Sequence, residues 1–231
     1  DLHVYSTEDE RWTDLSNDTS GDPPSPRSFH KMISVGKKLF VFGGCGESGR
    51  FNDLYSFDTA TRIWTAHPSC EQLPGRGGPG FVASGDGSSL FVIGGFAGKE
   101  MNDVFRFDLA TEKWSKLHAH GAPGNKLRPF SVSCGGLLNS NIVFFGGEVS
   151  PSELGHEGAG GFSQEGLAFH STEGTFIGKV SLADAECPSP RGWTAADVSG
   201  DGSTLALFGG LGGNDEHPLR FDDIWVLRPA L

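Results

Sequence analysis

One pattern of about 50 residues recurs along almost the whole chain, and it restricts the fold more than any other feature. Glycine pairs stand at Gly43-Gly44, Gly94-Gly95, Gly146-Gly147 and Gly209-Gly210, in steps of 51, 52 and 63 residues. Arginines at Arg27, Arg76, Arg128 and Arg191 step by 49, 52 and 63. Tryptophans at Trp12, Trp64 and Trp114 step by 52 and 50. Three independent markers sharing one period indicate a chain built by repeating one small unit, whose neighbours bury the faces it cannot bury alone.

Each unit has the same internal order. A Pro/Arg segment opens it, as in Pro24-Ser-Pro-Arg27-Ser-Phe-His30. An apolar run then ends in the glycine pair: Leu39-Phe-Val-Phe-Gly-Gly44, Leu90-Phe-Val-Ile-Gly-Gly95, Ile142-Val-Phe-Phe-Gly-Gly147 and Leu205-Ala-Leu-Phe-Gly-Gly210. Uninterrupted apolar runs of this length suit strands buried on both faces. A third segment alternates polar and apolar residues, as in Asn52-Asp-Leu-Tyr-Ser-Phe-Asp58 and Asn102-Asp-Val-Phe-Arg-Phe-Asp108. That pattern suits a half-exposed strand. A fourth carries the tryptophan, as in Arg11-Trp-Thr-Asp-Leu15 and Lys113-Trp-Ser-Lys-Leu117.

Four strands per unit, repeated, make a propeller blade, and a Gly-Gly pair with a later Trp at this spacing is the kelch signature. The predicted fold class is therefore all-β, a single kelch-type β-propeller of four-stranded antiparallel blades. Blades are expected at 22–68, 74–118, 122–182 and 187–228, with 1–21 ending an earlier blade, of which 1–15 supply the third and fourth strands. A little over four blades points to part of a larger ring. The tryptophans are expected to fill space between blades, and the glycine pairs to need positive φ.

Composition narrows the function classes. The 231 residues carry a formal charge of −11, which argues against nucleic acid and anionic membranes as partners. No apolar stretch reaches the length of a bilayer span. No signal peptide stands at residue 1, although the chain opens inside a repeat unit. Cys45, Cys70, Cys134 and Cys187 form no C-x-x-C pair. They read as reduced thiols, which places the chain in the cytoplasm.

Antiparallel order brings the start of each first strand and the end of each second strand to one face. Arg27, Arg76, Arg128 and Arg191 therefore approach the same mouth as the loops after the glycines. One reading makes them a site for an anion or acidic peptide. The other has each arginine pair with backbone carbonyls or a carboxylate and only hold its blade.

The long step of 63 marks an insertion of about 11 residues after Gly146-Gly147. It reads Glu148-Val-Ser-Pro-Ser-Glu153-Leu-Gly-His156-Glu-Gly-Ala-Gly-Gly161. Long loops in compact domains are often functional. Glu148 and His156, with Ser152 between them and Glu153 beside it, could bind iron, zinc or manganese. They could equally belong to a glycine-rich surface loop. His30 is expected to be a buried, hydrogen-bonded histidine. His67, His118 and His120 lie in inter-blade links without an evident partner. No Ser-His-Asp or Cys-His arrangement can be drawn, and Gly75-Arg-Gly-Gly-Pro-Gly80 lacks the Lys-Ser/Thr of a phosphate loop.

Several segments together resemble the plant specifier proteins, kelch propellers that steer glucosinolate breakdown toward nitriles, epithionitriles or thiocyanates. They are Arg76-Gly-Gly-Pro-Gly-Phe81, Gly94-Gly-Phe96-Ala-Gly98-Lys-Glu100-Met-Asn-Asp103-Val104, Phe145-Gly-Gly-Glu148, His156-x-Gly158-x-Gly160, Arg191-Gly-Trp-Thr-Ala195 and Arg220-Phe-Asp-Asp223. The resemblance spans essentially the whole chain and implies a six-bladed ring, with residues 1–15 at the end of its second blade. It implies an iron(II) site of Glu, Asp and His at four-residue intervals, with Glu148 and His156 in the outer positions. Ser152 stands at the Asp position and Glu153 one residue later. It also implies that Arg27 holds an anionic group of the substrate.

Two functions remain in view. One is a non-catalytic binding module that holds a protein segment or small anionic ligand at its mouth. The other is a specifier-like, Fe(II)-dependent lyase acting on an unstable aglucone or a related small anion.

Overall fold

The chain is described here from a computed structural model covering residues 1–118, 126–155, 158–180 and 187–228. It is a β-propeller of antiparallel blades, with no α-helix among the described residues. The first blade pairs Lys31–Val35, Lys38–Phe42, Leu54–Asp58 and Ile63–Ala66 in that order. The second pairs Gly80–Ala83, Ser89–Ile93, Val104–Asp108 and Lys113–Leu117. The third pairs Cys134–Leu138, Asn141–Phe145, Gly166–His170 and Phe176–Val180. The fourth has three strands, Ala195–Val198, Leu205–Gly213 and Pro218–Leu227. The innermost strands of all four line a central channel of about 680 Å³.

The apolar runs build the core as alternation dictates. Successive side chains point to opposite faces of a blade, so each second strand feeds two inter-blade interiors. Phe40 and Phe42 from the first blade meet Phe81, Leu90, Val92, Phe105 and Phe107 from the second. Phe91, Ile93 and Val104 from the other side of the second blade meet Ile142, Phe144, Leu167 and Phe169 from the third. Trp114 fills the first of these spaces. Its ring lies 5.9 Å from Phe42 and 5.0 Å from Phe107, and its indole N–H donates to the Pro68 carbonyl.

Two ends depart from that rule. His3–Ser6 and Arg11–Asp14 form a separate hairpin, from which Leu2 packs against Val41, Phe57 and Trp64 on the outer face of the first blade. Trp12 of this hairpin is 71% exposed, so it fills no inter-blade space. Ser20–Gly21 pairs in parallel with Ile63–Trp64, covering the outer edge of the first blade. At the other end, the apolar run of the fourth blade is buried on one face only. Ala206, Phe208, Ile224 and Val226 share the exposed face, whereas Leu205 and Leu207 are buried against the third blade.

The glycine pairs meet their expected backbone requirement at every repeat. Both residues of each pair have positive φ, from 60° at Gly94 to 108° at Gly210. The space is closed as well. A Cβ on Gly43 would lie 2.8 Å from the Arg76 carbonyl oxygen, and one on Gly94 would lie 2.7 Å from that of Phe130. The second strand of one blade thus ends directly against the backbone that opens the next.

Packing position decides the cost of truncation. Phe107 is wholly buried and Ile224 is 70% exposed. Phe107→Ala should cost about 3–5 kcal/mol and Ile224→Ala less than about 0.5 kcal/mol, as read from urea unfolding midpoints.

Candidate functional site

The four arginines lie inside the blades rather than in the mouth. Arg76 donates from Nη1 and Nη2 to the two oxygens of Asp103, at 2.5 and 3.1 Å, and from Nη1 to the Gly94 carbonyl at 2.7 Å. Arg27 repeats this with Asp53 and Gly43, and Arg191 with Asp223 and Gly209. Each also donates from Nε to the carbonyl two residues earlier. Arg76 is 0% and Arg191 1% exposed. These guanidinium groups are saturated by partners within the fold, which is the blade-holding arrangement.

Arg128 performs the same task from a shifted register. Gly44 donates to the Arg76 carbonyl and Gly147 to that of Arg191, but Gly95 donates to Phe130. Phe130 therefore occupies the backbone position that arginine holds elsewhere, and Arg128 sits two residues early. It still donates to the Gly146 carbonyl, and it pairs with Glu165 in place of an aspartate. The longer glutamate compensates for the displaced arginine. The fit is incomplete, because Arg128 Nη1 is buried with no hydrogen-bond partner among the described residues.

A second circuit of hydrogen bonds joins the blades at the mouth. Gly78 N–H donates to the Phe29 carbonyl, Val132 N–H to Gly78, and Trp193 N–H to Val132, at 2.8–2.9 Å. These four residues all have positive φ, between 47° and 58°. That region is strained for Phe, Trp and above all the β-branched Val. The circuit turns the Phe29 and Trp193 rings toward each other, with centroids 5.2 Å apart.

Between this circuit and the insertion lies a cavity of about 260 Å³. Phe29, Phe96, Val132, Trp193 and Pro151 give it apolar walls, and Ser131, Glu148, Ser152 and Arg50 supply its polar groups. Glu148 is 8% exposed. Its carboxylate accepts the backbone N–H groups of Ser152 and Gly160. Burial, with the charges of Glu100 and Asp215 adding to it, raises its pKa to about 7. Glu100 is equally buried, its pKa is raised by that burial, and its Oε1 has no hydrogen-bond partner among the described residues.

Of the proposed metal ligands, Glu148 and Ser152 line the cavity, Glu153 is exposed, and His156 lies outside the described residues. Ser152 donates its hydroxyl to Asp215 at 2.6 Å. Asp215 comes from the turn between the last two strands of the fourth blade, and it also accepts the Ala159 N–H. It is the carboxylate that the sequence reading missed, because 63 residues separate it from Ser152. No group of three His, Cys, Asp or Glu side chains among the described residues could hold a metal ion. Of the iron(II) set that the resemblance implies, the described residues place Glu148 and Ser152 together.

The histidines also differ from expectation. His30 is exposed rather than buried, although it keeps a hydrogen bond to the Arg27 backbone; His118 is exposed in its link as expected, and His120 lies outside the described residues. His67 has partners after all. Its Nδ1 lies 2.9 Å from Glu112 of the second blade and its Nε2 2.9 Å from Ser56 Oγ, which ties the first two blades together. The four cysteines form no disulfide, and among the described residues no helix is long and apolar enough to cross a membrane.

Residues 1–147 match the family model described as the KLHDC2/KLHL20/DRC7 Kelch-repeats domain. The chain is 30% identical over 223 residues to the N-(sulfonatooxy)prop-2-enimidothioate sulfolyase of Thlaspi arvense, covering 86% of this chain and 62% of that protein. It is 25% identical over 250 residues to Kelch domain-containing protein 3 of Bos taurus, covering 100% of this chain and 60% of the other. Against host cell factor 1 of Homo sapiens the figures are 28% identity, 90% of this chain and 10% of that protein. The chain thus spans less than two thirds of these relatives. The solved structure of YjhT superposes with a TM-score of 0.70 at 18% identity, over 98% of this chain and 75% of that one.

The arginine clamps carry a measurable pH signature. Arg191 holds the Asp223 carboxyl down at about 2. Because the folded pKa is depressed, the clamp contributes fully above the unfolded value of roughly 3.9 and is lost as pH falls toward about 2. Between pH 5 and pH 2.5, the urea midpoint of the native protein should drop further than that of Asp223→Asn.

Proposed function

The chain belongs to the kelch-repeat family, and from that premise we propose that it is a binding module that takes a protein segment at the mouth of the propeller. One observation carries this reading. Positive-φ backbone from all four blades, strained at the three residues that are not glycine, and the insertion after Gly147 converge on a single cavity of about 260 Å³, walled by aromatic rings. Strain of this kind costs on the order of 1–3 kcal/mol per residue and persists where the surroundings enforce it, most often at binding sites. Concave, mostly apolar sites with a few convergent polar groups are the usual form of a ligand pocket.

A protein segment is favoured over a small anion because Arg27, Arg76 and Arg191 are taken up by partners within the blades and Arg128 is clamped to Glu165 and the Gly146 carbonyl. Phe29 and Trp193 offer aromatic surface of the kind that anchors protein interfaces. Peptides selected from a random displayed library should bind at least about tenfold more weakly to Trp193→Ala. They should bind unchanged to Lys37→Ala, on the opposite face. Equal loss in both variants would remove the mouth as the site.

The second reading is a specifier-like lyase, and it draws on the activity named in the Thlaspi arvense relative. It requires saturable Fe(II) binding that Glu148→Ala abolishes. The binding-module reading requires none, so titration of the purified protein with Fe(II) under anaerobic conditions separates the two.

A further inference from the structure

We propose that the mouth cavity recognises a primary alkylammonium, the lysine side chain of a bound segment, with its head at Glu148 and Ser131 and its stem along the aromatic walls. This deepens the binding-module reading and rests on it.

The polar floor of the cavity is the first ground. Ser131 is 1% exposed and lines the cavity, yet its Oγ has no hydrogen-bond partner among the described residues. Its backbone is bridged to Glu148, with N–H donation in both directions. Buried hydroxyls and carboxylate oxygens are nearly always satisfied. Here Ser131 Oγ and Glu100 Oε1 are both left over beside the Glu148 carboxylate. All of these atoms are acceptors or can act as acceptors. An ammonium group brings three donors and no acceptor, and its charge offsets the repulsion between two buried carboxylates.

The walls give the second ground. Phe29, Phe96 and Trp193 present ring surface to the cavity, and the negative face of an aromatic ring attracts a cation. One such contact already exists, since the Arg50 guanidinium sits 4.6 Å from the Phe96 ring centre. Arg50 is exposed and is the one cation among the described lining residues. A cavity of about 260 Å³ is far larger than the roughly 30 Å³ share of one water, and four methylenes with an ammonium head can occupy it. An anion would meet the Glu148 carboxylate. A metal ion finds no set of three side-chain donors among the described residues.

Titration with Nα-acetyl-lysine methylamide, followed by amide and indole NMR, tests the idea. Saturable shifts are expected at Ser131, Val132 and the Trp193 indole. Nα-acetyl-norleucine methylamide has the same stem without the charge and should bind at least about tenfold more weakly, as should the lysine probe to Glu148→Gln. The norleucine comparison uses the native chain, so it holds even where the variant is unstable. n-Butylamine separates the two sources of the group. Weaker binding than the lysine probe supports a lysine within a segment, and equal binding supports a free amine; either supports ammonium recognition. Equal affinity for lysine and norleucine probes, or shifts confined to the central channel, would overturn the proposal. Peptides that still depend on Trp193 would then leave the mouth standing as the binding site, whereas loss of that dependence would overturn both.

Discussion

The whole assembly depends on one device, a guanidinium held between a carboxylate and the carbonyl of a glycine. Arg27, Arg76, Arg128 and Arg191 each reach forward in their own blade to the first glycine of the pair and to an acid, which directly precedes the third strand in the first three blades and lies within it in the fourth. The clamp fixes three segments at one point: the incoming chain, the end of the second strand and the start of the third. It is buried, so its value lies less in net stability than in specifying one arrangement, since a buried pair often repays little more than its desolvation. Removing one partner leaves the other charge stranded, which explains why four blades keep both.

The clamps set the geometry of everything nearer the axis. With the backbone of Arg76, Phe130 and Arg191 fixed against the preceding glycine pair, the next two residues have no relaxed path into the first strand. They turn through positive φ at Phe29, Gly78, Val132 and Trp193 and pass a hydrogen bond from blade to blade. Glycine relieves that strain at one position, and three side chains bear it. The strained turns place aromatic rings at the mouth, and the insertion of the third blade closes over them with Glu148. The cavity is therefore a consequence of how the blades are tied together.

The third blade shows how the device tolerates change. Its arginine lies two residues early, and Glu165, directly before the third strand, reaches the extra distance. The spacing of the arginines hid this shift, because the steps before and after it, 52 and 63, equal those of the glycine pairs. The backbone partner of the glycine pair, Phe130, is what exposes it.

The sequence by itself determined the fold, through features that are local. Apolar runs of four residues, glycine pairs at their ends and alternating third strands follow from strand geometry and steric limits at single positions, and each was readable where it stood. It also singled out Glu148 and Ser152, because an insertion interrupts a period. Tertiary structure alone decided what those residues face. Asp215 meets Ser152 across 63 residues, Glu112 meets His67 across 45, and Glu100 comes close enough to act on Glu148 from another blade. Those meetings depend on the rotation between neighbouring blades, which no stretch of one strand encodes. The arginines mark the same boundary: their spacing was visible in the chain, but their burial among carboxylates and carbonyls required the packed blades.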